Sequence, residues 1–334
     1  MQELYAYLEK HPVVYVTRDR ERAEGLSGDT RSLPAGRQGY SIISDPNKST
    51  RELVASLENP ESAAVLIFKA NRQVEETCRA KNWRLLNPPA TLAEQVEGKV
   101  SQIKWLGSLS SHLPSHWEGL LADCPWPLPF VLQWNWGHSG EGTRLIETNE
   151  QLGELIKQFP YRKVRVSKFI DGDTFTNNNI VTKDRVLVGN ISYQITGDPE
   201  LTDNPFATVG NDWGKALELL SSADRQKYNQ IATKIGEKLR DAGWKGAYGV
   251  DIMRERGSGK MYLIEVNARQ SASVVFESNL QSTQRSNLQG RIDLESGVTV
   301  FEAHLAALVG LDLSDKKLIP ITNGRRTINR KNII

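Results

Sequence analysis

The chain has 334 residues, 39% of them hydrophobic and 25% charged, which fits a soluble globular protein of two or three structural units. Lys plus Arg (42) nearly offset Asp plus Glu (40), and the net charge of +2 gives no overall electrostatic footprint for nucleic acid or an anionic membrane. Cys78 and Cys124 stand far apart and in no C-x-x-C pair, so neither a disulfide framework nor a zinc site organises the chain, and a reducing compartment is expected. The opening MQELYAYLEKHPVV lacks the basic and apolar segments of a signal peptide. No apolar run approaches the ~20 residues of a membrane span, and a cytoplasmic location is expected.

From His11 to Pro89 short apolar runs alternate with amphipathic ones. PVVYVT, YSIIS, AAVLIF and WRLLN read as strands, and STRELVASLEN and KANRQVEETCRAKN as helices between them. The alternation predicts a small doubly wound unit with parallel strands, assigned to residues 1–112. Between its first two strands ERAEGLSGDTRSLPAGRQG reads as a loop, and Gly36 and Gly39 lack the G-x-G-x-x-G frame of a phosphate-binding turn. TLAEQVEGKVSQIKWLGSL then predicts one helix carrying Lys99 and Lys104. HLPSHWEGLLADCPWPLP reads as a loop, cut by Pro125, Pro127 and Pro129. His112 and His116 are four apart, but Pro114 between them denies them a common helix face, and they read as surface histidines.

In FVLQWNWGHSGEGTRLIETNE an apolar strand runs into Gly137–Thr143 and out along a second strand. Glycines at such a turn can aim backbone N–H groups into a phosphate-binding nest, or can simply close a hairpin; both readings stand. TNEQLGELIKQF follows as a helix capped by Thr148 with Leu152, Leu155, Ile156 and Phe159 on one face, and VRVSKFIDGD returns as a strand. These elements make a second unit over 113–172. The remainder, 173–334, holds strands in TNNNIVT and RVLVGNISYQITG, a polar loop DPELTDNPFATVGNDW, and the helix ADRQKYNQIATKIGEKLRDAG. It also holds an amphipathic helix in TVFEAHLAALVGLDL, expected on the oily face of a sheet, and a basic tail NGRRTINRKNII, read as solvated or edge-pairing.

The most informative stretch is Tyr248–Arg269, YGVDIMRERGSGKMYLIEVNAR, a β-hairpin with its turn at RGSG. A turn centred on Ser258 sets Asp251 opposite Glu265 with Cβ atoms about 5 Å apart. Alternation gives Asn267 the face of Glu265 and sends Tyr262, Ile264 and Val266 to the other. Two carboxylates that close repel by about 3 kcal/mol at an effective dielectric near 20, so the pair is either solvated or offset by a cation. Mg²⁺ takes such oxygen ligands.

Taken together these windows resemble the ATP-grasp superfamily, in the style of its biotin carboxylase and carboxylate–amine ligase branches, from about Gly98 to Gly310. The carrying motifs are GVD at Gly249–Asp251, EVNAR at Glu265–Arg269, GKVSQIKWL, FVLQWNWGHSGEGT and VSKFIDGD. The resemblance implies a mixed α/β, ATP-grasp fold of two α+β lobes clamping ATP. It implies Asp251, Glu265 and Asn267 as ligands of one or two Mg²⁺ ions, or of Mn²⁺ in their place. Lys99 becomes a phosphate-binding lysine, Ser167, Lys168, Phe169 and Ile170 the adenine hinge with Asp173 just beyond, and Gly140, Glu141 and Gly142 a flap over the phosphates. Arg269 falls beside the transferred phosphoryl group, with Ser271, Ala272 and Ser273 leaving room for the acceptor. Ser167 stands where many members carry glutamate, and Gln133 where most carry a lysine. A neutral contact in place of a charged one weakens nucleotide binding by about one kcal/mol. On that reading Gln133→Lys tightens ATP, unless Lys104 or Arg144 already supplies the charge.

The implied activity is ADP-forming ligation, in which a small carboxylate is activated as an acyl phosphate and taken by an amine, with no nucleic-acid or membrane partner and with a homodimer compatible. Two alternatives stay open: a catalytically degenerate nucleotide-binding sensor or scaffold, which Gln133 and Ser167 favour, and a bicarbonate-activating, carboxylase-like enzyme.

Overall fold

The computed structural model describes residues 2–26, 39–58, 63–136, 142–287, 296–322 and 326–328. Its first unit contains α1 (Gln2–Lys10), β1 (Val13–Thr17), β2 (Tyr40–Ser44), α2 (Thr50–Ala55), β3 (Ala64–Ile67) and α3 (Arg72–Ala80). β1 pairs in parallel with β2 and with β3. Alternation along β1 sends Val13 and Tyr15 to the side of Leu4 and Leu8 from α1, and Val16 to the side of Leu53, Val54, Val74 and Cys78 from α2 and α3. Both faces are covered, as a parallel sheet requires. WRLLN, expected as a further strand, makes one parallel bridge, Val65 to Leu85. The Asn87 side chain then satisfies both the N–H and the C=O of Ile67, at 2.9 and 2.7 Å. Pro88 and Pro89 beyond it have no N–H with which to extend a ladder.

The single helix expected after Pro89 is two, α4 (Ala90–Glu97) and α5 (Ser101–Leu106). Gly98 turns extended at the end of α4, and a Cβ there would lie 3.0 Å from Asn135 Oδ1. Asn135 occupies the break: its carbonyl accepts from the Lys99 N–H and its side-chain oxygen from the Val100 N–H, both at 3.0 Å. Lys99 therefore sits at a kink and not along a helix face.

The second lobe is an antiparallel sheet of β4 (His116–Leu120), β5 (Phe130–Trp134), β6 (Thr143–Ile146) and β7 (Lys163–Lys168), ordered β4-β7-β5-β6, with α6 (Asn149–Gln158) packed on it. Thr148 and Gln151 form a reciprocal capping box at the start of α6. β4 falls in the stretch expected to be loop; the three prolines lie beyond it, and an edge strand needs little apolar patterning. Its His116 is held by the Pro114 carbonyl at 2.9 Å, while His112 ends a 3₁₀ turn, so the two do not converge.

The largest sheet is assembled from β8 (Gly172–Val181), β9 (Val186–Leu187), β10 (Ser192–Thr196), β11 (Thr208–Asp212), β12 (Gly246–Glu255), β13 (Met261–Asn267) and β16 (Arg326–Ile328). Its order is β13-β12-β8-β10-β11-β16, with β9 beside β8. β11 emerges from the end of the polar loop, where TVGND buries Val209 and pairs with β10. β16 is the edge-pairing part of the basic tail. Between β11 and β12 lie α7 (Trp213–Leu219) and α8 (Ser222–Asp241), and α8 shares a core with Val96, Trp105 and Leu106 of α4 and α5 and with Tyr248, Val250 and Leu263 of the hairpin.

After β13 come α9 (Val274–Asn287) and α10 (Val300–Val309), the latter flanked by the short parallel pair β14 (Gly297–Val298) and β15 (Lys317–Leu318). α10 packs against the sheet as expected, but it is not amphipathic: residues 300–308 are all buried. It lies between Ile180 and Ala247 of the sheet on one side and Leu4, Leu8 and Tyr15 of the first unit on the other. His304, on α10, accepts from the Ala247 N–H at 2.9 Å, and burial pushes its imidazole down to about 3, so the ring is neutral. Among the described residues no helix is long and apolar enough to cross a membrane.

Glu277 of α9 is fully buried, and among the described residues its carboxyl meets amides: Asn178 Nδ2 at 2.7 Å and Asn190 N and Nδ2 at 3.2 and 3.0 Å. Burial pushes its carboxyl up to about 7 against the pull of those hydrogen bonds. The folded form thus keeps a proton that the unfolded chain releases near 4.5, so stability from this group is full below that pH and is lost as pH rises through 7. Glu277→Gln removes the loss, since the Asn178 amide can turn over to meet it. Urea unfolding from pH 5 to pH 8.5 is expected to show the variant gaining on the parent by on the order of 3 kcal/mol; a pH-independent difference would assign the slope to other groups.

Candidate active site

The β12–β13 hairpin pairs Asp251 with Glu265, as its sequence predicts, but through a β-bulge. From the turn, Met253 pairs with Tyr262 and Ile252 with Leu263; Asp251 then skips to Glu265, leaving Ile264 as the extra residue. The bulge resets alternation, so Leu263 and Val266 enter the core while Ile264, expected there, lines the cleft with Glu265 and Asn267. Gly249 serves the same site: a Cβ there would lie 2.8 Å from Ser271 Oγ, so glycine lets the turn after β13 lie over β12.

Asp251 and Glu265 sit in a cleft of about 1120 Å³ bounded by all three packing units. Asn267 Nδ2 donates to Asp251 Oδ2 at 3.1 Å, while Asp251 Oδ1 is buried without a well-formed hydrogen bond among the described residues. Burial, then the charge of Glu265, raise Asp251 to about 6, against the Thr176 hydroxyl, Lys99 and Asn267. Burial works to raise Glu265 as well, but Lys99 and Arg269 outweigh it and hold that carboxylate below its ordinary range. Lys99, at 5% exposure, forms an ion pair with Glu265 from the kink between α4 and α5. A set of all-oxygen donors with one buried carboxylate oxygen unclaimed fits Mg²⁺ or Mn²⁺.

Arg269 is held by Glu97, whose buried carboxylate also meets Lys69 of the first unit, at 2.6 and 2.5 Å. Burial alone would lower Arg269; Glu97 and Glu265 reverse that and raise it. The neighbouring Gln270 accepts from the Tyr15 hydroxyl at 3.0 Å and donates to the Arg22 carbonyl at 2.7 Å. The first unit is thereby bonded to the end of the metal-type hairpin. Arg22 in turn lies over the Phe68 ring at 3.8 Å, and both line the cleft.

At the opposite end the cleft is lined by Ser167, Lys168, Phe169 and Ile170 at the end of β7, and by Gly142 at the start of β6. Gly140 and Glu141 lie outside the described residues. Asp173 is not brought to the cleft: alternation along β8 gives that face to Thr174 and Thr176, and Asp173 meets Arg256 at 3.2 Å on the other side. Lys104 is exposed on α5, and Arg144 shares the face of Leu132 and not that of Gln133. Neither supplies charge beside Gln133.

The cation that does is one that no sequence motif singles out. Arg165 of β7 is the cross-strand partner of Gln133, and its Nε and Nη2 both donate to Gln133 Oε1, at 2.9 and 2.6 Å. The signal was present in VRVSK, because alternation puts Arg165 on the face of Ser167. Glu97 was likewise missed; inside a helical run of mixed charge nothing marks it as the buried acid.

A sequence model of the ATP-grasp domain matches residues 96–273, more than half of the chain. The chain belongs to the ATP-grasp family. A curated relative of this ATP-grasp protein is the butirosin acyl-carrier protein–L-glutamate ligase of Niallia circulans, 25% identical over 144 residues. That match takes in 42% of this chain and 32% of the relative, so the chain spans about a third of its length. Among solved structures, N5-carboxyaminoimidazole synthase of Aspergillus clavatus, in complex with ADP and 5-aminoimidazole ribonucleotide, superposes with a TM-score of 0.62 at 15% identity, covering 95% of this chain and 82% of that one. The L-amino acid ligase of Bacillus licheniformis gives a TM-score of 0.60 at 15% identity, with coverage of 92% and 76%. At these identities the structural likeness is one of fold, and the mixed α/β architecture is that of the family.

The Glu97 bridge gives a test of the site's foundation. Glu97→Gln leaves Lys69 and Arg269 without their common anion and is expected to lower unfolding stability by about 3 kcal/mol in urea titrations. Adding Lys69→Met should recover part of that loss, and strict additivity of the two changes would mean that they do not interact.

Proposed function

We propose that this ATP-grasp protein is an ATP- and Mg²⁺-dependent ligase that activates a small-molecule carboxylate as an acyl phosphate and passes it to an amine, releasing ADP and phosphate. The observation that carries the reading is the facing of Asp251, Glu265 and Asn267 by Lys99, Arg165 and Arg269 in one cleft, with the β7 end at its far side. The relatives named as an L-glutamate ligase and an L-amino acid ligase support it.

Asp251, Glu265 and Asn267 would hold the metal, which when bound neutralises phosphate charge and polarises the phosphoryl oxygens. Ser167 to Ile170 receive the adenine along backbone of β7, in the manner of a hinge. Lys99, paired with Glu265 at the cleft, brings its ammonium to the nucleotide's phosphates. The substrate carboxylate oxygen attacks the γ-phosphorus as the bond to the β-γ bridging oxygen breaks. Arg269, fixed by Glu97, holds the developing negative charge. The amine then attacks the acyl carbon, the C–N bond forms, phosphate leaves, and the amine proton goes to solvent. Acceptor and carboxylate occupy the end of the cleft lined by Arg22, Phe68, Ser271 and Ser273. Positioning and charge neutralisation carry such a reaction without a protein nucleophile.

ADP release is expected when the protein is given Mg·ATP with pools of small carboxylates, amino acids and amines. Asp251→Asn with Glu265→Gln should abolish it, at least a hundredfold, and should remove the Mg²⁺ requirement for ATP-dependent thermal stabilisation. Stabilisation by ATP without ADP release from any pool would leave a nucleotide-binding protein and refute the ligase.

A further inference from the structure

Arg165 is 4% exposed, yet it lines the cleft and meets no carboxylate in an ion pair among the described residues. Gln133 Oε1 takes its Nε and one Nη2 proton, and the Ile264 carbonyl takes the other at 3.0 Å. Nη1 is left without an acceptor among the described residues. A guanidinium has five N–H donors in a fixed fork, so three are used to pin the group and two are unclaimed. Burial lowers Arg165 to about 10, and the charge of Glu265 acts against that, so the group is cationic at neutral pH. Glu265 itself is already ion-paired with Lys99. The cation therefore stands in the cleft wall with donors spare and its nearest acid engaged.

Position along β7 says what anion fits. Arg165 lies two residues before Ser167 on the same face, about 7 Å along the strand from the hinge and toward the Gly142 end. Gln133 completes the arrangement from β5, with Nε2 3.4 Å from Thr143 Oγ1. Its carboxamide oxygen aims the fork, and what Gln133 keeps for an anion is a neutral amide N–H and no charge.

We propose that Arg165 is the polyphosphate-binding residue of this wall of the cleft and that Gln133 is its positioning residue, not a weak phosphate ligand standing in for a lysine. The inference rests on the nucleotide reading above and deepens it. It reverses the sign of one substitution: Gln133→Lys puts an ammonium against a buried guanidinium, displaces the fork and weakens ATP, where a missing-lysine account has the same change tighten it.

The experiment is calorimetric titration of the full chain with Mg·ATP, adenosine and inorganic tripolyphosphate. Arg165→Met is expected to lose at least tenfold in affinity for Mg·ATP and to lose tripolyphosphate binding, with adenosine affinity within twofold of the parent. Arg165→Lys should fall between, and Gln133→Met should weaken Mg·ATP several-fold while retaining the charge. Gln133→Lys should weaken Mg·ATP at least threefold. Should Arg165→Met not fold, the sign of the Gln133→Lys effect decides. Tighter ATP binding by Gln133→Lys, or equal losses for ATP and adenosine in the Arg165 variants, overturns the inference and makes Arg165 a structural counterion. A parent protein with no affinity for Mg·ATP overturns the nucleotide reading itself.

Discussion

Two carboxylates facing each other across a strand pair impose a constraint that shapes much of this molecule. Left alone, Asp251 and Glu265 would repel by about 3 kcal/mol, and partial burial makes the repulsion harder to screen. Cations arrive from three directions: Lys99 from a helix kink, Arg269 from the residue after the hairpin, and Arg165 from another sheet. Each brings a requirement of its own. Lys99 needs the kink, hence Gly98 and Asn135; Arg269 needs Glu97, which in turn draws in Lys69 from the first unit. Charge balance at the cleft is thus also what joins the three packing units there.

The hairpin was legible because its determinants are local. β-rich runs, a glycine turn and period-two alternation fix the pairing of Asp251 with Glu265, and the ATP-grasp resemblance followed from the order of such windows. The bulge was not legible, since the extra residue, Ile264, is an ordinary β-former and only the fit of the pair to its neighbours selects it. The same limit applies to Lys99. Gly98 is tolerated in helices often enough that its breaking role becomes visible only when Asn135, 37 residues on, is seen filling the gap.

Arg165 and Asp173 show the converse. Both follow from strand alternation, which puts Arg165 into the cleft and Asp173 out of it, but reading them required the strand boundaries at Lys163–Lys168 and Gly172–Val181 and the identity of the inward face. An edge strand such as β4 is weakly marked because one side of its ladder is open and its burial is slight. The resemblance drew attention to Gln133 as a departure. Its physical meaning lies in the partner it holds, and cross-sheet pairing of that kind is a property of register, which no single window contains.

The burial of α10 ties completion of the first unit's core to the far end of the described chain. Phe301, Leu305 and Leu308 fill the same core as Leu4, Leu8, Val13 and Tyr15, so the innermost face of the first unit is completed by side chains nearly 300 positions later in the chain. Contacts of such sequence separation form late, because the closure entropy precedes the reward. During synthesis β1 and α1 leave the ribosome with that face open, and it stays open until α10 follows. A segment translated well before α10 is therefore among the last to finish folding, with its apolar face uncovered in the interval.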